Sequence, residues 1–514
     1  MLSLSSPTSS RLSSLLPEDL GEELKALQQD PAVASGLQLL AALARADESG
    51  GPLPERLPRL RAHLDAALEL APRLRARADD AQLSSPRQAR WTLRLAQQML
   101  QAAHQGFKRA AVDGSAAKGL FARHRPTIEA FALAMWSGWQ LAVLHARAYT
   151  ALPPGFWSDC HRLFVYAAGQ GWDDKAPGAD VPTPLGESYR RILLLGMTGS
   201  NRYEADQLGM LIELIEESAP QLGVGWLGPR TAPQGAFVCQ EHSDRPPLFT
   251  APLPHAGGEH PYLAVDTRRV EAELQRRIDA QQNAAVSSPR RLQLYQRLQQ
   301  EWTRPAQRRH TRRRRAGDDR VELISALAAC WAVVDSERAH AGAWAQRFAP
   351  EPRDAPAAES ASPAELPTRA AMLSVANISH SGLLLQGDPG SQPLGAGEVA
   401  VYRRPGRSWR LGLIRWVNFR LESMLTQCGI EYLGGSLEAV MVAPVTAGSL
   451  GDYQQALRIN GRNVIVVEGR YFHPFREFLM GDAQALVRIR AVRLVLQSIQ
   501  YQAMEYQVVG PAEG

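Results

Sequence analysis

The sequence predicts a multidomain α+β protein with a mainly α-helical N-terminal region, an antiparallel β-barrel and extra C-terminal strands. Three observations carry this. Leucines and aromatics recur at three-to-four spacing over roughly the first 220 residues. After Ala371 the apolar period drops to two. Between these regions lies a stretch too rich in arginine to enter any core: eight arginines against Glu301, Asp318 and Asp319 from Glu301 to Arg320.

A chain of 514 residues exceeds what one core supports, so two or three domains are expected. Residues 1–20 are Ser/Pro-rich and predict a disordered N-terminus. Residues 21–220 form the helical domain. Its first segments carry Leu24 and Leu27, then Leu37, Leu39, Leu40 and Leu43, then Leu60, Leu64 and Leu68, with Pro52, Pro54 and Pro58 separating the last two. A helix from about Pro86 places Trp91, Leu95 and Met99 on one face. Further helices start at Pro126, after Pro153-Pro154, at Thr183-Pro184 as an N-cap and N1 pair, and at about Tyr203. These stripes read as core.

Residues 221–303 change character and form a mixed connecting region: short strands at Gly235–Gln240 and Pro247–Thr250, then helices from Thr267 and Pro289. Val321–Ile324 begins as a strand and Ala326–Val334 turns helical. Five prolines between Pro350 and Pro367 mark a flexible insert over residues 350–369. The expected strands that follow are Met372–Ile378, Gly382–Gln386, Gly397–Arg403, Trp409–Val417, Cys428–Leu433 and Ala439–Ala443. Closely spaced short strands with Gly turns point to a small barrel. Three more, Asn463–Glu468, Ala485–Leu496 and Ile499–Val508, make residues 446–514 a β-rich extension.

Composition narrows the function. The net charge of +5 is small for this length, so nucleic-acid binding is disfavoured. Four scattered cysteines without a C-x-x-C give no sign of disulfides or zinc. The longest apolar run, Ala130 to Leu144, is shorter than the ~20 residues needed to span a bilayer. No signal peptide opens the chain, so a cytoplasmic protein is expected. Gly223-Val-Gly-Trp-Leu-Gly228 fits G-x-G-x-x-G, yet it follows a helix and runs into Pro229, against the strand-then-helix a dinucleotide site needs. Cys239-Gln-Glu-His242 lacks two further metal ligands. With no nucleophile elbow, Walker A or H-E-x-x-H, the chain is not expected to be an enzyme.

The arginine stretch contains two overlapping Arg-x-x-x-Arg spacings, Arg308/Arg312 and Arg309/Arg313. Guanidinium groups bind phosphates bidentately and stack on purines. Downstream, Asn377-Ile-Ser379-His-Ser-Gly382 lies at a strand end. Asn377 and Ser379, two apart on a strand, can converge on one ligand edge. Gly382 allows either a positive φ or a close backbone approach. Arginines, a strand, Asn-x-Ser-x-x-Gly, then Trp409–Val417 and Cys428–Gly434, in that order, resemble the PilZ family over residues 304–445. That family comprises receptors for the bacterial second messenger cyclic di-GMP. The resemblance implies a PilZ-like barrel binding this ligand, with no cofactor. The arginines would wrap the phosphates and stack on guanine, and Asn377, Ser379 and Gly382 would form the base-reading edge. It also implies a receptor that acts on a protein partner through the helical region. A PilZ-like scaffold without ligand and an arginine-rich nucleic-acid binder are the alternatives.

Overall fold

The computed structural model describes residues 2, 4, 27–48, 51–79, 86–116, 124–176, 181–226, 237–249, 262–284, 288–303, 313–314, 319–337, 370–390, 392, 394–420, 425–446, 449–450, 452–481, 486–498 and 500–511. The chain divides into two compact units, residues 1–200 with 206–307, and residues 201–205 with 308–514. The predicted insert at 350–369 and nearly all of the Ser/Pro-rich start lie outside the described residues.

The first unit is helical: α1 Pro31–Glu48, α2 Leu53–Asp79, α3 Pro86–Ala116, α4 His124–Arg147, α5 Phe156–Gly169, α6 Leu185–Met197 and α7 Ala205–Ser218. The face of α3 bearing Trp91, Leu95 and Met99 is buried. Against it packs α2, whose Leu60 sits so close to Gly106 that a Cβ there would come within 2.8 Å of it. Two local expectations fail. Pro58 lies inside α2 instead of in the break before it, because burial of Leu57, Leu60 and Leu64 outweighs the hydrogen bond a proline removes. Thr183 is not the N-cap of α6. Pro184 holds that place, and the Thr183 hydroxyl pairs with Ser188 Oγ at 2.7 Å.

A four-stranded antiparallel sheet follows in the order β1-β4-β2-β3, with β1 Gly223–Trp226, β2 Phe237–Gln240, β3 Leu248–Phe249 and β4 Tyr262–Asp266. Gly223 and Gly225 lie within β1, so they are not the strand-to-helix turn of a dinucleotide fold. Helices α8 (Arg268–Asn283) and α9 (Pro289–Thr303) then pack on one another. Trp302 of α9 is fully buried and donates its indole N–H to Thr198 Oγ1 at 2.9 Å.

The second unit holds two closed antiparallel barrels. The first comprises β6 Arg320–Ser325, β7 Ala371–Ser379, β8 Gly382–Gly387, β9 Val399–Arg403, β10 Arg410–Arg420 and β11 Leu425–Gly435, with the two-residue β5 (Arg313–Arg314) added to β7. Its order β7-β6-β9-β10-β11-β8 closes through β7–β8. The second comprises β12 Leu437–Thr446, β14 Gln454–Ile459, β15 Val464–Glu468, β16 Glu477–Gly481, β17 Leu486–Gln497 and β18 Tyr501–Pro511, with β13 Ser449–Leu450 hairpinned onto β12. It closes through β12–β16. The first barrel therefore ends near residue 436, not 445. β12 pairs with β13, β14 and β16, and Ser436, at φ 56°, turns the chain from one barrel to the next. The extension is a full barrel because β14 and β16, absent from the sequence reading, complete it.

Helix α10 (Leu327–Ser336) joins the barrels. Leu327, Cys330 and Val334 share one core with Val399, Val401 and Leu411 of the first barrel and Leu457, Val466 and Tyr501 of the second. Trp331 also donates its indole N–H to the Val440 carbonyl at 3.0 Å.

Within the helical unit, Lys108 of α3 donates to Asp159 of α5, both side chains almost wholly buried. Removing one partner strands the other charge in a dry interior. Lys108→Met should lower unfolding free energy by about 3–5 kcal/mol, and the apolar double variant Lys108→Met, Asp159→Leu should recover much of the loss in urea titration. Two buried histidines make the unit acid-sensitive. Desolvation, reinforced by the Lys108 charge, pushes His104 down to about 3, and desolvation pushes His145 down to about 4. Both stay neutral when folded but protonate when unfolded from an ordinary value of 6.5. Stability is thus fully present above pH 6.5, falls as pH drops, and levels off only below about 3, where folded His104 also protonates. A urea midpoint followed across pH 7.5 to 4 should show this slope, and His104→Gln should make it shallower.

Candidate functional site

Strand β7 is hydrogen-bonded along both edges. On one side it meets β8 in a hairpin that turns at His380 and Ser381; on the other it meets β6 and then β5. Its first half alternates regularly, with Ala371, Leu373 and Val375 buried and Met372 exposed. Continued unbroken, that alternation would send Asn377 and Ser379 into the barrel. A register shift between Val375 and Asn377 prevents it. Val375 pairs with the buried Leu385, Ile378 with the core-packed Leu383, Asn377 with Leu384 and Ser379 with Gly382. The bulge thus transfers Asn377 and Ser379 to the outer face.

Each predicted site residue can now be located. Arg308, Arg309 and Arg312 lie outside the described residues. Arg313 is the first residue of β5 and pairs with Ile378, while Arg314 pairs with Asn377. The end of the arginine stretch therefore runs beside the Asn-x-Ser strand in direct register. The two Arg-x-x-x-Arg registers are not distinguished by this pairing.

The Asn377 amide makes no hydrogen bond among the described residues, leaving a donor and an acceptor on the outer face. Ser379 is engaged: its hydroxyl donates to the Gly382 carbonyl at 3.1 Å and pins the hairpin. Its oxygen lone pairs remain to accept. Of the two possibilities for Gly382, close approach is the observed one. A Cβ there would sit 2.0 Å from the Ile430 carbonyl oxygen on β11, and Gly382 is not among the positive-φ residues.

Toward β8 and β11 the neighbours are mixed: Gln427 donates to Gln386 at 3.4 Å, Leu384 pairs with Gly429, and Glu431, in register with Gly382, is paired with Arg415. All four cysteines are buried and free. Among the described residues no cluster of His, Cys, Asp and Glu could hold a metal ion. No helix among them is long and apolar enough to cross a membrane. The arrangement offers a hydrogen-bonding edge with the backbone of Arg313 and Arg314 paired alongside it.

Comparison with known proteins bears on the other end of the chain. Residues 18–228 match the family model described as cyclic-di-GMP receptor FimW, N-terminal domain. The match covers the helical region and leaves the barrels untouched, whereas the PilZ resemblance concerns residues 304–445. No curated protein and no solved structure matches the chain.

Gly382→Ala would drive a methyl into backbone, which cannot yield as a side-chain tip can. The β8–β11 ladder should open, at a cost of about 3 kcal/mol, seen as a lower urea midpoint with an unchanged slope.

Proposed function

We propose that this chain is a cyclic di-GMP receptor, and that the ligand sits on the outer edge of the first barrel where β5, β7 and β8 meet. The observation that carries the reading is the pairing of Arg314 with Asn377. It ties the arginine stretch to the Asn-x-Ser strand at a fixed register. Arg308 precedes Arg313 by five residues, at most about 18 Å of extended chain. Either Arg-x-x-x-Arg pair, Arg308/Arg312 or Arg309/Arg313, is thus within reach of a ligand over Asn377.

In this reading the guanidinium groups take the two phosphates bidentately and stack on a guanine face. Asn377 reads the guanine edge as both donor and acceptor, Ser379 accepts from a guanine N–H, and Gly382 keeps the hairpin close to β11. Similarity of residues 18–228 to the N-terminal domain of a cyclic-di-GMP receptor supports the same ligand from a separate part of the chain. The PilZ-like character of the barrel, its cytoplasmic setting, the absence of enzymatic activity and the output to a protein partner through the helical region belong to this proposal.

Titration calorimetry of the intact protein tests it. Wild type should bind cyclic di-GMP at micromolar levels or tighter. Replacing one phosphate-facing arginine should weaken binding by about 1.5–3 kcal/mol, roughly ten- to hundred-fold. Asn377→Ala with Ser379→Ala should abolish the heat. No heat with wild type, or binding indifferent to the double variant and steeply salt-dependent as for nucleic acid, rejects the reading.

A further inference from the structure

Strand β6 opens with an arginine that belongs to neither Arg-x-x-x-Arg spacing. Val321 and Leu323 of this strand are buried in the first barrel's core, so alternation turns Arg320 and Glu322 to the outer face. Arg320 pairs with Ser374 of β7, and Ser374 pairs across its other edge with Gln386 of β8. This row lies next along β7 to the one through Arg314, Asn377 and Leu384. In both rows the arginine stands on the same edge of β7, opposite β8. The Val375 N–H donates to the Asp319 carbonyl at 2.8 Å and fixes that register. Arg320 and Asn377 are thus one strand spacing and three residues apart, roughly 11 Å between Cα atoms.

Arg320 is exposed, and its guanidinium makes no hydrogen bond or ion pair among the described residues. The carboxylates on either side of it are already engaged, Asp319 by Arg404 at 2.8 Å and Glu322 by Arg403. The Ser374 hydroxyl has no partner among the described residues either. Between Ser374 and Asn377 the outer surface of β7 carries only Ala376, since Val375 is buried. An uncommitted cation therefore stands beside a strand surface of small side chains, one row from the base-reading edge.

We propose that Arg320 is a second anchor of the site: it takes one phosphate of the cyclic dinucleotide, while the arginine stretch takes the other and Asn377 reads a guanine. This rests on the cyclic di-GMP reading above and deepens it with a binding residue outside both sequence motifs. A ring closed by two phosphodiesters carries two separated negative charges, so it is held best by cations at two places. A guanidinium can bind each phosphate through two parallel N–H bonds. Ser374 and Ala376 leave room for the ring to lie against β7 between them. The Arg320 backbone is already fixed in β6, so binding has only its side chain left to order.

The experiment is calorimetric titration of the full chain with cyclic di-GMP, comparing wild type, Arg320→Ala, Arg320→Lys and, as a charge control on the second barrel, Arg493→Ala. Thermal melts accompany each. Arg320→Ala should bind about ten-fold or more weakly than wild type, with an unchanged melting temperature. Arg320→Lys should fall between the two, because an ammonium keeps the charge but not the fork. Arg493→Ala should stay within about two-fold of wild type. Arg320→Ala that binds like wild type, or no more weakly than Arg493→Ala, overturns this inference and leaves the receptor reading standing. So does a loss of binding that merely follows a lowered melting temperature. Wild type that fails to bind removes the receptor reading and this one together.

Discussion

A closed barrel has one inside, and strict alternation along each strand assigns every side chain to it or to the surface. The candidate site depends on where that assignment is broken. In β7 the bulge after Val375 keeps Ile378 facing inward with Leu383 and releases Asn377 and Ser379 outward. Since β7 is paired on both edges, the bulge cannot slide: β6 fixes the register of its first half and the β8 hairpin fixes its second. Arg313 and Arg314 then join the strand at the positions opposite Ile378 and Asn377. An insertion of one residue thus decides which side of the barrel Asn377 and Ser379 occupy.

The second barrel is part of the platform, not an appendage. Helix α10 lies between the two barrels and buries Leu327, Cys330 and Val334 in a core drawn from both. Separating the barrels would expose that core, an unfavourable step at roughly 25 cal/mol per Å² of apolar surface. Tyr501 of β18 also donates its hydroxyl to Glu398, just ahead of β9, at 3.0 Å. Burial raises Glu398 above the usual carboxylate range. Polar and apolar contacts together tie β9, and through it β6 and β7, to the second barrel.

The helical unit shows a different economy. Its interior accommodates a buried ion pair, Lys108 with Asp159, and two neutral histidines, each held by a few hydrogen bonds. Such groups are costly to desolvate and contribute little net stability. They do restrict how α3, α4 and α5 can pack through the bonds they make, Lys108 to Asp159, His104 Nδ1 to the Ala134 carbonyl and His145 Nδ1 to Thr150, while Nε2 of both histidines is buried without a partner among the described residues.

Local pattern determined much of this protein. Three-to-four spacing gave the helices, period two gave most of the strands, and the Asn-x-Ser-x-x-Gly hairpin was legible because both strand ends and the turn lie within six residues. Partnership was not legible. The strand at Ala439–Ala443 reads identically for either barrel, and only its hydrogen bonds to β14 and β16 assign it to the second. Gln454–Ile459 and Glu477–Gly481 carry no strong alternation, and their burial comes from neighbours far along the chain. Pro58 was read as a breaker because local propensity cannot weigh the leucines it helps bury. Trp416 stood in the sequence as one more strand residue. Its side was decided by a bulge, which is a property of two strands in register and has no signature in either one alone.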